Sequence, residues 1–180
     1  MNLKDLFYTI KTPEELLDFM DKYIQYGWIG KDNIIRYSNI GNLLEKYRMA
    51  SLNEVFEYGI GICFEQVALE KLFFDSQNSK NECYAIYNHH ICHAFLLYEY
   101  NHMYYKFEHA SYQSKGIFEY QNKEELLIDE IKNFCDRHKI KSMKHLVLLQ
   151  YDTIHANADS EEIKTMFDHQ ENLIHILDKK

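Results

Sequence analysis

The run His93-Ala94-Phe95-Leu96-Leu97-Tyr98-Glu99-Tyr100 constrains the fold more than any other stretch. Apolar side chains fill successive positions, so a strand here is apolar on both faces for most of its length. Such a strand belongs in the middle of a sheet. Residues 83–87, 103–109 and 145–151 read as further strands, rich in aliphatic and aromatic side chains. Asn101-His102 is a turn candidate between two of them.

Ahead of the strands the spacing is helical. Thr12-Pro13-Glu14-Glu15 combines a cap, a proline at the first helical position and a capping-box acid. Leu16, Leu17, Met20, Tyr23 and Ile24 then share one stripe, and Gly27 ends it. Residues 27–33 read as a loop, and Leu43, Leu44 and Tyr47 suggest a short helix. Ser51-Leu52-Asn53-Glu54 is a second capping box, opening a helix to about residue 58. Gly59-Ile60-Gly61-Ile62-Cys63 is a glycine-punctuated loop, and Phe64, Val67, Ala68, Leu72 and Phe73 then recur at helical spacing. Asn122 caps a helix over 123–138, and Ser160-Glu161-Glu162 starts a last, acidic one. This order predicts a single α+β domain over 1–180, with N-terminal helices packed on an antiparallel sheet of about four strands.

Composition narrows the function. The net charge of −8 disfavours a sequence-independent nucleic-acid binder, which needs a cationic face. An aromatic content of 15% excludes disorder. No apolar run is long enough for a membrane span, and Met1-Asn2-Leu3-Lys4-Asp5 lacks the pattern of a signal peptide. The four cysteines, Cys63, Cys83, Cys92 and Cys135, form no CxxC pair. They read as reduced thiols of a cytoplasmic protein, with the last three as core residues.

Three residues point to chemistry: Cys63, His93 and Glu108. Cys63 follows G-x-G-x and stands where a helix starts. There the helix dipole and free backbone N–H groups are expected to lower the thiol pKa, and the same N–H groups can serve an oxyanion. His93 opens the central strand, and Glu108 lies near the end of the next. If Asn101-His102 is a two-residue turn, Tyr100 faces Met103 and Glu108 falls opposite Phe95. His93 and Glu108 are then diagonal neighbours on one face, with Cα atoms ~7–8 Å apart. A turn of odd length puts Glu108 on the other face. In such a set the thiolate attacks a carbonyl carbon and the histidine moves its proton. The carboxylate fixes the imidazole tautomer and stabilises its cation.

The run Gly61-Ile62-Cys63-Phe64-Glu65, the helix after it, His93-Ala94-Phe95 opening a strand and the acid on the next strand resemble the transglutaminase-like superfamily of papain-fold cysteine enzymes. The likeness covers roughly residues 55–120. Gln25-Tyr26-Gly27-Trp28, Tyr105-Lys106-Phe107-Glu108-His109 and Lys115-Gly116-Ile117 resemble a group of small bacterial and phage members. The resemblance implies a papain-like core, Cys63 as nucleophile, His93 as base and Glu108 as orienting acid. Most of the superfamily has Asp at that last position, and His109 and Gln66 are other polar candidates nearby. It implies amide or isopeptide hydrolysis, deamidation or transamidation on a protein or peptide substrate, without a cofactor, a nucleic acid or a membrane. Papain-type enzymes often add a side-chain oxyanion donor from upstream of the nucleophile, for which Gln25, Tyr26 and Trp28 are candidates.

Two other readings stand beside this one. The same fold could bind a peptide or protein in a groove walled by Tyr98, Tyr100, Tyr104, Tyr105 and Phe107 without catalysis. His89-His90-Ile91-Cys92-His93 could instead hold a metal. Neighbours in a strand point to opposite faces, however, and no CxxC or HExxH spacing is present.

Overall fold

The structure, a computed structural model, describes residues 2–37, 43–88, 91–168, 171–174 and 176. Helices α1 (Leu3–Phe7) and α2 (Pro13–Tyr23) come first, followed by strands β1 (Gln25–Tyr26), β2 (Trp28–Gly30) and β3 (Ile35–Arg36). Helix α3 (Leu43–Lys46), strand β4 (Tyr47–Arg48), helix α4 (Leu52–Tyr58) and strand β5 (Ile60–Gly61) lead into helix α5 (Cys63–Ser76). Strands β6 (Asn81–Asn88), β7 (Ile91–Tyr100), β8 (Met103–Glu108) and β9 (Gly116–Tyr120) follow. Helix α6 (Lys123–His138), strand β10 (Leu146–Tyr151) and helix α7 (Ser160–Asp168) come last. Helices and antiparallel sheets combine as in the α+β class. Among the described residues no helix is long and apolar enough to cross a membrane.

The main sheet has the order β10-β6-β7-β8-β9, with β7 in the middle. One face carries Ala85, Ala94, Leu96, Tyr98 and Phe107 into a core shared with α5 and the N-terminal helices. The other carries Tyr84, Ile86, Phe95 and Leu97 against Leu126, Leu127, Ile131 and Phe134 of α6. Both faces of β7 are therefore covered, which is why its sequence is apolar at successive positions. Helix α5 is itself enclosed, with even Glu65, Gln66 and Glu70 buried.

Thr12 and Ser51 close the expected capping boxes at α2 and α4, and Asn122 caps α6. Asn101 and His102 both take left-handed backbone conformations, φ +50° and +65°, so the hairpin turns in two residues. Tyr100 pairs with Met103 and Leu96 with Phe107.

The sequence reading departs from the structure in three places. A fifth strand, β9, joins the sheet; its side chains are mostly half-buried, so no clean alternation marks it. The loop expected over 27–33 contains β2, which pairs with β3 and β4 in a small second sheet. Helix α2 stops at Tyr23 rather than at Gly27, because the chain extends from Ile24 into β1, which lies parallel to β5.

Candidate active site

The first turn of α5 is fixed from within. The Glu65 carboxylate accepts the Ile62 N–H (3.1 Å), the Ala50 N–H (3.0 Å) and the Tyr47 hydroxyl (2.7 Å). Burial raises the Glu65 pKa to about 7 against the pull of these bonds. Upstream, Gly59 ends α4 at φ +63°, where a Cβ would stand 2.6 Å from the Tyr23 carbonyl oxygen. The pairing of β1 with β5 sets Tyr26 opposite Gly61.

Cys63 is the first residue of α5 and is only 4% exposed. The backbone N–H groups of Ala94 and Phe64 favour its thiolate form. Burial pushes its pKa up to about 12, with Glu65 and Glu108 adding to the rise. This overturns the expectation of a depressed thiol pKa. Loss of water around a thiolate outweighs the partial charge of a helix end.

His93 and Glu108 meet as the two-residue turn requires, with Nε2 and Oε2 2.6 Å apart. Glu108 is 1% exposed, and its other oxygen accepts the Ser111 N–H at 2.8 Å. Burial alone would raise the Glu108 pKa. His93, the Ser111 N–H and Lys106 outweigh it and hold the carboxyl below its ordinary range. The His93 ring leaves β7 on the α6 side, stacked near Phe95 at 6.3 Å between centroids.

Cys63 approaches β7 from the α5 side. The β7–β8 ladder runs from the turn to Leu96↔Phe107, and Ala94, two residues beyond, is the β7 residue whose N–H acts on the sulfur. The structure thus joins His93 to Glu108, with the ring on the α6 face of β7, and holds Cys63 on the other face.

Of the upstream candidates, Tyr26 is the one beside the thiol. Its ring is 46% exposed, while burial of its hydroxyl, then Cys63, Glu65, Cys92 and Glu108, raise its pKa. Gln25 is exposed. Trp28 is buried against Tyr47 under the Arg36 guanidinium, and its Nε1 meets no hydrogen-bond partner among the described residues.

His109 and Gln66 stand apart from the His93 pair. The Gln66 amide donates to the Gly61 carbonyl (2.8 Å), and its oxygen meets His109 Nδ1 (2.7 Å). His109 Nε2 lies 3.1 Å from Asp21, which is paired with Lys115. Burial, then Lys115, push the His109 pKa down to about 4 against the pull of Asp21 and Glu108. This chain ties the G-x-G-x-C turn to the segment after Glu108. Cys83 and Cys135 are buried free thiols and Cys92 is partly buried.

Sequence reasoning missed a second group around His93. Glu130 of α6 is fully buried, ion-paired to Lys106 and to Arg137 (2.7 Å), with Oε1 4.0 Å from His93 Nε2. Arg137 also donates to the Ser111 and Ser114 hydroxyls at 2.9 and 2.6 Å. The signal was a lone acid three residues after Leu127 and four before Phe134, on the apolar stripe of α6.

His93, Glu108 and Glu130 bring ligand-type atoms within 4.8 Å of one another. Lys106 and Arg137 are both ion-paired to Glu130, and Glu108 is held to His93 by the 2.6 Å hydrogen bond. The cluster is better suited to proton handling than to a cation. His89 and His90, on which the histidine-rich metal reading rested, lie outside the described residues. No family model and no curated protein matches this chain.

Proposed function

We propose that the chain is a thiol-dependent acyl-transfer enzyme of transglutaminase-like type, with a papain-like core and Cys63 as nucleophile. The observation that carries this reading is the buried His93–Glu108 pair, at 2.6 Å, on the strand that Cys63 faces from the start of α5. With Glu108 accepting the Nε2 proton, Nδ1 is the nitrogen left to take the thiol proton, a step that requires the ring to turn from the α6 side of β7 toward the sulfur. With a thiol pKa near 12, the proton leaves as the sulfur attacks rather than beforehand.

The sulfur adds to the carbonyl carbon of a side-chain or backbone amide. The oxygen of the adduct takes hydrogen bonds from backbone N–H groups at the start of α5 and from the Tyr26 hydroxyl. His93 then returns the proton to the departing amine, leaving a thioester. Water completes hydrolysis or deamidation; a second amine completes transamidation. In either case His93 takes a proton from the incoming group and gives it to the departing thiolate.

A second reading, a non-catalytic peptide-binding module, is favoured by the burial and raised pKa of the thiol. Alkylation by iodoacetamide, followed cysteine by cysteine with mass spectrometry from pH 6 to 10, separates the two. The enzyme reading expects Cys63 to react ahead of Cys83, Cys92 and Cys135 across that range. It also expects that rate to fall at least tenfold in His93→Gln. A Cys63 rate that is the slowest of the four, or that climbs with pH regardless of His93, overturns it.

A further inference from the structure

We propose that Glu130 is a positioning residue of the base: a second acid whose charge, metered by Lys106 and Arg137, sets how readily His93 accepts a proton. This rests on the Cys63–His93 reading above. Glu130 Oε1 stands 4.0 Å from the His93 nitrogen that Glu108 already holds, so it acts through its field and not by a bond of its own. Its oxygens are committed elsewhere, Oε2 to Lys106 and Oε1 to Arg137. Lys106 is as buried as Glu130, and its ammonium also lies over the Phe118 ring. Glu130, Lys106, Glu108 and His93 are all buried, and single charges act strongly on their neighbours in such a setting.

The charge balance gives the group its function. Glu108 and Glu130 are matched by Lys106 and Arg137 while His93 is neutral. Removing the Glu130 charge leaves two cations facing the ring and opposes its protonation. Removing the Lys106 charge leaves an uncompensated acid and favours it. The charged and titratable groups around the ring are Glu108 and Lys106 from β8, and Glu130, Arg137 and His138 from α6. Burial, then Arg137 and His93, hold the His138 pKa below its ordinary value, in keeping with His138 sharing this environment. A bridge that served only to hold α6 on the sheet would have no such sign.

The test is an NMR pH titration of the His93 ring signals in the full chain, assigned by their loss in His93→Gln. Relative to the parent, Glu130→Gln is expected to move the His93 midpoint down by about one pH unit, and Lys106→Met to move it up. The double variant should return close to the parent value. If Glu130→Gln does not fold, Lys106→Met alone decides the direction. Midpoints that stay put, or that move the same way in both variants, overturn the proposal. Because the readout is the ring and not the thiol, it fails independently of the enzyme reading. Opposite shifts together with a Cys63 alkylation rate indifferent to His93 would defeat that reading alone and leave the hold of Glu130 on the ring standing.

Discussion

Glu70 lies inside α5 with one carboxyl oxygen, Oε2, that meets no hydrogen-bond partner among the described residues. Burial, then the nearby Glu108 carboxylate, raise its pKa well above the ordinary value. The unfolded chain releases this proton just above pH 4.5, while the folded chain keeps it. Stability is therefore lost as pH rises past that point, and this pH-dependent loss is absent in acid. Glu70→Gln is expected to stabilise the fold by about 1–3 kcal/mol at pH 7 and to change little at pH 4, checked by thermal melts at both values. An equal effect at the two pH values would refute this. The same physics explains why the Cys63 pKa was misread from sequence. A cysteine at a helix start is visible in the string of residues, but the depth at which that start is buried is not.

The hairpin is the element on which the site depends, and its two central residues both take positive φ. Asn101 tolerates this conformation; His102 pays for its Cβ. His102→Gly is expected to stabilise the chain by about 0.5–1 kcal/mol, read as a higher urea midpoint with an unchanged slope. Much of the hairpin was legible in advance. A two-residue turn between aromatic strands fixes which residues face each other, and from it the meeting of His93 with Glu108 follows. Strands β2 and β9 were not legible. Trp28 and Ile29 are ordered by Arg36 and Arg48, which stand elsewhere in the chain, and β9 by the backbone of β8. The capping boxes of α2 and α4 are wholly local, and the sequence shows them without help.

At the scale of the molecule, the central sheet is held between two cores, and α6 is the cover of one of them. Phe134 is fully buried there, with its ring 4.7 Å from that of His138. Phe134→Ala is expected to cost about 3–5 kcal/mol in denaturant unfolding, and a loss below 1 kcal/mol would show that α6 is not part of the cooperative core. The dependence of the site on α6 was invisible in sequence, because Glu130 and Lys106 meet only when the helix folds back over β8. The sheet order adds a consequence for biosynthesis. Strand β10 lies beside β6, although α6 and three strands separate them along the chain. A ribosome has therefore delivered Cys63, His93 and Glu108 before it delivers Glu130 and Arg137 or the strand that completes the sheet. The nascent chain carries Cys63 and His93 without the charges of Glu130 and Arg137, and the last third of translation supplies them.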